Sequence, residues 1–265
     1  MNDEGKTDRG SYEEEWSRRT FLLLGERGLS VLRSARVAVI GVGAVGSFAV
    51  EALTRAGVGE LFLVDPDVVA ASNANRQLPA TRETLGCPKV EVVAQRIRAI
   101  HPAVRLTALQ ERFCRRTEER LLGFGFDYLV DAVDELGPKV QLLLGCVRRG
   151  IPVVSSMGAA SKLDPSRVRT MDLSETCWCP LARNVRKRLR RQGVERGIEV
   201  VVSDEPPILP CFPEVASLVE EDGCPVRGTI SYMPALFGLH CASVVIRHLL
   251  RDVPFRRRGQ YEWKQ

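Results

Sequence analysis

The chain has 265 residues, more than one typical domain and fewer than two; 45% hydrophobic and 27% charged residues exclude a disordered or collagen-like chain. Lys plus Arg (38) against Asp plus Glu (33) leave a net charge of +5, an excess that permits a polyanionic partner without requiring one. Eight scattered cysteines with no secretory signal ahead of them point to a reducing cytoplasm and against a disulfide scaffold.

Residues 1–16 are polar and acidic, with Glu13, Glu14 and Glu15 in a row, and read as a flexible tail. Phe21, Leu24, Leu29 and Leu32 allow short helices over 20–32. A continuous apolar strand follows over 36–40, then a glycine turn over 41–46 and a helix over 45–56 that carries Val50, Leu53 and Ala56 on one side. A second apolar strand over 61–64 ends at Asp65. The alternation continues with a helix over 89–100, a strand over 104–109 and a helix over 118–122. After these come a strand over 128–133, a helix over 139–149 and a strand over 151–155. Strands alternating with helices of this length predict a Rossmann-like α/β fold, a doubly wound and mostly parallel sheet with right-handed crossovers. Beyond Ser156 the pattern loosens into a helical and irregular extension. It contains a basic amphipathic helix around Leu181, Val185 and Leu189, a proline-rich segment over 206–213 and a terminal helix over 234–250. The charge-free run 228–246 includes Thr229, Ser231, Pro234 and His240, and reads as a buried helix entered near Pro234 rather than a membrane span. The expected organisation is a tail (1–16), a Rossmann-like core (17–160), a C-terminal region completing the same domain (161–255) and a basic tail (256–265).

Gly41-Val42-Gly43-Ala44-Val45-Gly46 lies between a strand and a helix, where glycines let the backbone approach a phosphate and aim amides at it. Asp65 falls where the second strand presents a carboxylate to a ribose. These features point to a nucleotide without separating NAD from ATP. The stretch from Asp67 through Ser72, Asn73 and Arg76, then Lys89 and Asp131-Ala132-Val133-Asp134, favours a triphosphate. Attack on phosphorus needs cations to spread developing charge and a carboxylate to hold Mg²⁺; Arg76 and Lys89 supply the first, and Asp134, just past the fourth strand, supplies the second.

The runs G-V-G-A-V-G, D-P-D-V-V-A-A-S-N-A-N-R-Q, C-P-K and D-A-V-D resemble the ubiquitin-activating-enzyme-like adenylation superfamily. Arg19-Thr20 with Leu22-Leu23-Leu24-Gly25-Glu26, Lys162-Leu163-Asp164-Pro165, Cys179-Pro180-Leu181-Ala182-Arg183, Val202-Ser203-Asp204-Glu205-Pro206 and Gly228-Thr229-Ile230-Ser231-Tyr232 narrow the resemblance to its tRNA threonylcarbamoyladenosine dehydratase branch. The resemblance implies ATP binding by Gly41, Gly43, Gly46, Asp65, Asp67, Ser72, Asn73, Arg76, Lys89, Asp131 and Asp134, with Mg²⁺ at Asp134. It further implies a homodimer in which Arg18 or Arg19, with Arg19 the choice here, reaches the neighbouring subunit's ATP, and leaves room for a sulfur-handling partner. Related chains place an arginine and an aromatic ahead of the Arg-Thr pair, where this one has Trp16-Ser17. The paired Cys-x-x-Cys zinc motif of the sulfur-carrier activators is missing, since Cys177-Trp178-Cys179 is Cys-x-Cys.

The implied reaction is ATP-dependent cyclisation of a threonylcarbamoyl group on a tRNA adenosine, through adenylation of its carboxylate and loss of water. A tRNA substrate accounts for the cations Arg183, Arg186, Lys187, Arg188, Arg190 and Arg191 on one helix, which suit a phosphate backbone. Few aromatics interleave there, so base stacking is not expected from that helix. Cys224 and Cys241 read as small buried residues rather than catalytic thiols. The rival readings are activation of a ubiquitin-like sulfur carrier, a nicotinamide-dependent oxidoreductase and a catalytically silent RNA-binding module.

Overall fold

The computed structural model describes residues 4–209 and 228–255, with side chains from residue 12. Cys211, Cys224, the later part of the proline-rich segment and the basic tail lie outside the described residues. The strands are β1 (Arg36–Ile40), β2 (Glu60–Val64), β3 (Arg105–Leu109), β4 (Tyr128–Asp131), β5 (Val153–Ser156), β6 (Val168–Asp172) and β7 (Glu199–Ser203). They form a single seven-stranded sheet in the order β3-β2-β1-β4-β5-β7-β6. Neighbours are parallel throughout, except that β6 runs antiparallel to β7.

The helices are α1 (Glu4–Ser34), α2 (Gly46–Ala56), α3 (Lys89–Ile100), α4 (Glu118–Leu122), α5 (Leu136–Arg149), α6 (Pro180–Arg190) and α7 (Tyr232–Leu249). Alternation along β1 divides the core between the two faces of the sheet. Val37 and Val39 pack with α2, α3 and α7 residues such as Leu53, Ile97 and Phe237. Ala38 and Ile40 face Leu121, Leu122 and Leu142 of α4 and α5. A separate cluster joins α5, α6 and β7 through Leu143, Val185, Leu189 and Val200. Helix α7 crosses α2 so closely that a Cβ on Gly238 would fall 2.3 Å from the Val45 carbonyl oxygen. Among the described residues no helix is long and apolar enough to cross a membrane.

Two differences from the sequence reading have local causes. The segment expected as a flexible tail enters α1, which begins at Glu4 and breaks at Gly25, where φ is 67°. Tyr12 donates to the Ile100 carbonyl at 3.2 Å and Trp16 packs on His101 with ring centroids 5.0 Å apart, so this helix gains tertiary anchors that composition does not reveal. Strands β6 and β7 were not anticipated. The first is a mostly half-exposed edge strand, which fixes itself by pairing with β7 rather than by any apolar run.

Candidate active site

Strand order reverses between β1 and β4, and a cleft opens there, beyond the carboxyl ends of β3, β2, β1 and β4. Its wall includes Gly41, Gly43, Asp65, Asp67, Arg76, Lys89 and Asp134 of the expected site. The turn at its base is built from close backbone approaches. Gly41 has φ 89°, and a Cβ there would lie 2.7 Å from the Ala132 carbonyl oxygen; one on Gly46 would lie 1.8 Å from the Gly41 carbonyl oxygen. Gly43 differs, since its added Cβ would meet nothing closer than the Gln77 side chain at 3.6 Å. The protein's own packing therefore requires glycine at 41 and 46, whereas at 43 the bare backbone faces open cleft.

Asp65 is buried. Its carboxylate accepts from Val42 N–H (2.7 Å) and Asp67 N–H (2.9 Å), tying the second strand to the glycine turn. Burial raises its pKa, opposed by those backbone donors and by the charge of Lys89. Lys89 opens α3 behind Pro88, with its ammonium 2.7 Å from Asp67 Oδ2. Arg76 is held by the Ser72 carbonyl and Asn75 Oδ1, both at 2.9 Å. The turn that carries it is closed by Asn73, whose Oδ1 accepts from Ala70 N–H at 3.1 Å, and Asn75 donates to the Thr229 carbonyl at 3.1 Å. Asp134 is exposed on the cleft wall and makes no hydrogen bond or ion pair with another described residue.

Several expected residues stand elsewhere. Ser72 and Asn73 do not line the cleft; they shape the turn that presents Arg76. Gly46 lies beneath the turn rather than on the cleft wall. Asp131 is fully buried under the floor, where it accepts from Lys139 Nζ (2.7 Å), Ser155 Oγ (2.6 Å) and Val133 N–H (3.1 Å). It holds the turn that carries Asp134 and is closed off from a ligand. Arg19 is exposed on α1, away from this chain's own cleft. Arg186 is committed to the fold, donating to the carbonyls of Leu173 (3.2 Å) and Thr176 (2.9 Å). Arg183, Lys187, Arg188, Arg190 and Arg191 remain exposed and make no side-chain hydrogen bond to another described residue.

The cleft also contains residues to which the sequence reading gave no role. Gln77 reaches over Gly43, and its buried Oε1 has no hydrogen-bond partner among the described residues. Arg112, paired with Glu135, lines the wall beside Glu111 and Phe113. Residues 111–113 follow the end of β3, so the rule that open α/β sheets bind ligands at strand carboxyl ends was the signal for them.

The cleft gathers Arg76, Lys89 and Arg112 around the glycine turn with five carboxylates, of which Asp134 has no partner among the described residues, a surface suited to a nucleotide bound together with a cation. The ThiF family profile matches residues 17–261, and the chain belongs to that family. It is 40% identical over 245 residues to the tRNA threonylcarbamoyladenosine dehydratase of Bacillus subtilis (strain 168), covering 90% of this chain and 96% of the relative. The enzyme of the same name from Escherichia coli (strain K12) is 37% identical over 207 residues, 74% of this chain and 77% of that one. Among solved structures, the crystal structure of E. coli tRNA N6-threonylcarbamoyladenosine dehydratase, TcdA, in complex with ATP superposes with a TM-score of 0.82. Its sequence identity is 32%, and the match covers 90% of this chain and 95% of that one.

Proposed function

We infer that this chain is an ATP-dependent tRNA threonylcarbamoyladenosine dehydratase, converting the threonylcarbamoyl adenosine of a tRNA to its cyclic form. The observation that carries the reading is the cleft at the strand reversal, where Asp65, Arg76, Lys89 and Asp134 surround the glycine turn, in a chain alike over nearly its whole length to enzymes of that name. In this reaction the threonyl carboxylate attacks the α-phosphorus of ATP and pyrophosphate leaves, giving an acyl-adenylate. A nucleophile of the same threonylcarbamoyl group then attacks the acyl carbon, AMP departs and a ring closes, so the net change is loss of water.

Two anions must meet, and the chain's part is to let them. The cleft presents Arg76 and Lys89 to the phosphates, while Asp65 stands where a ribose is held. Mg²⁺ fits the donor set, because that ion is commonly held by one or two carboxylates together with substrate phosphates, and Asp134 is exposed and without a partner among the described residues. Among the described residues no group of three or more His, Cys, Asp or Glu is gathered at one point, so Asp134 would hold the ion jointly with ATP. When bound, it would offset phosphate charge. Holding the curled threonylcarbamoyl chain against the cleft replaces a search in solution with proximity, worth on the order of 7 kcal/mol.

No protein thiol enters this scheme. Burial pushes the pKa of Cys146 and of Cys241 up to about 12, which keeps both as thiols. Residues 161–255, with the exposed cations of α6, serve as the tRNA-binding part of the same domain. Arg19 shares a helical face with the exposed Leu22 and Leu23, three and four positions on. A second copy covering those leucines would take them out of water, which is the reason for proposing a homodimer; the reach of Arg19 to that copy's ATP is what the family resemblance implies.

The test is incubation with ATP, Mg²⁺ and threonylcarbamoylated tRNA, followed by mass analysis of the nucleosides. The expected product is lighter by one water. Unchanged mass with folded protein, together with pyrophosphate exchange stimulated by a ubiquitin-like carrier instead of tRNA, would establish the sulfur-carrier reading in its place.

A further inference from the structure

Trp178 is the one large aromatic between β6 and α6, and its setting is unusual on two counts. Its φ is 55°, a left-handed conformation that non-glycine residues seldom adopt. Its side chain is 59% exposed. The backbone on either side explains how it is kept there. Cys179 N–H donates to the Cys177 carbonyl at 2.7 Å, a hydrogen bond that spans only Trp178 and makes a tight three-residue turn. Thr176 is buried ahead of the turn and fastened by Arg186, which donates to its carbonyl. Cys179 is buried behind it, with its sulfur accepting from Ala182 N–H at 3.4 Å at the start of α6. With both flanks fixed inward, the indole is projected outward.

The turn stands at the functional edge of the sheet. A Cβ built on Gly158, in the segment that follows β5, would lie 3.7 Å from the Cys179 sulfur and 3.9 Å from Leu181 Cβ. The turn therefore sits past the carboxyl end of β5, the strand next to β4, whose end carries Asp134. On its other side α6 begins, and the exposed Arg183, Lys187 and Arg190 follow at helical spacing. An exposed indole in a rigid turn, between a nucleotide cleft and a row of cations, has the composition of a single-stranded nucleic-acid platform, with aromatic faces for bases and cations for the backbone.

We propose that Trp178 stacks on an unpaired base of the tRNA loop that carries the modified adenosine, while Arg183, Lys187 and Arg190 hold the adjoining phosphates. This rests on the dehydratase reading, and it revises the expectation that base stacking has no part near α6. The aromatic lies just before the helix, and its outward aim is set by the backbone of the turn. Trp178 is thus a positioning residue: it fixes where the loop lies, and the chemistry remains in the cleft.

The test compares wild type, Trp178→Ala, Trp178→Phe and Lys187→Ala for affinity toward a threonylcarbamoylated anticodon stem-loop and a loopless duplex of the same stem, at two salt concentrations. Trp178→Ala is expected to weaken stem-loop binding by about 5- to 100-fold. Its salt dependence should stay that of wild type and its duplex binding should be unchanged, and Trp178→Phe should restore most of the affinity. Lys187→Ala should weaken both RNAs and flatten the salt dependence. Equal stem-loop affinity for wild type and Trp178→Ala, both active on ATP, overturns the proposal and leaves the dehydratase reading intact. So does a change of oligomeric state with RNA affinity preserved. Failure of wild type to convert the modified tRNA at all would instead remove the reading on which the proposal rests. A matching thermal unfolding midpoint for Trp178→Ala excludes misfolding as the cause of a loss.

Discussion

Two lysine–aspartate pairs in this protein close at the same distance, 2.7 Å, and do different work. In the cleft, Lys89 is 7% exposed and its partner Asp67 is 55% exposed. Beneath the floor, Lys139 and Asp131 are both 0% exposed, and Ser155 completes a closed set of hydrogen bonds. The geometry of the contact is alike, so what differs is the cost of parting. Asp67 can take up water if Lys89 turns to a phosphate as proposed, whereas Asp131 and Lys139 have no solvent to receive either charge. On the proposed reading the first pair is a cation held ready, and the second is a brace for the turn that carries Asp134.

The same substitution at each lysine separates the two roles, because methionine keeps the aliphatic stem and removes only the charge. Lys139→Met should lower the unfolding free energy by about 3–5 kcal/mol, the usual penalty for stranding a buried charge, as read from urea denaturation. Adding Asp131→Asn, which keeps an acceptor for Val133 N–H and turns an N–H donor toward Ser155 Oγ, should return much of that loss. A cost under about 1 kcal/mol would mean the brace is dispensable. Lys89→Met should instead alter stability by less than about 1 kcal/mol, since Asp67 remains hydrated. Its rate of pyrophosphate release in a single turnover should fall by about 100-fold or more, and Arg76→Met should do likewise. Near-normal rates in both variants would take the phosphate-handling role away from these cations.

The contrast also explains what the sequence could and could not disclose. Strands β1, β2 and β4, the glycine turn and the carboxylate at Asp65 are legible because each is a local pattern, an apolar run followed by turn chemistry. Asp131 and Asp134 share one short motif, and only burial tells the brace from the ligand-facing carboxylate. Arg186 looks like its neighbours on α6, yet its partners are carbonyls at Leu173 and Thr176, ten or more residues earlier. Strand β6 becomes a strand only by pairing with β7 across a whole helix. Gln77 was in view within its motif, but its orientation over Gly43 belongs to the tertiary fold.

Glycines 43 and 46 repeat the comparison at the level of single atoms. Gly46→Ala places a methyl 1.8 Å from a carbonyl oxygen of the same turn, so soluble folded protein should be scarce. Gly43→Ala meets only Gln77, at 3.6 Å, and should fold normally. Its methyl would stand where a phosphate must approach the backbone, weakening ATP by about tenfold in calorimetry, equivalent to about 1.4 kcal/mol. Undiminished ATP affinity would mean the nucleotide does not lie over this turn.

The smallest effect concerns a buried base whose burial outweighs the one counter-charge near it. Burial lowers the pKa of His101 below its ordinary 6.5, the nearby Glu13 opposing the shift and Arg33 adding to it. The unfolded chain therefore binds the proton first as the medium is acidified. Stability from this residue is complete above about pH 6.5 and declines as pH falls from there toward the lower folded-state value. His248 is also lowered, mainly by burial, and contributes with the same sign. His101→Phe keeps an aromatic partner for Trp16 while removing the titration, so its unfolding free energy should depend less on pH between 7.5 and about 5.5 than that of wild type. His248 contributes to the slope that remains. An unchanged pH profile in the variant would show that His101 takes up its proton without loosening the contact between α1 and the end of α3. Burial of this site would then impose no constraint on charge of the kind that governs Lys139.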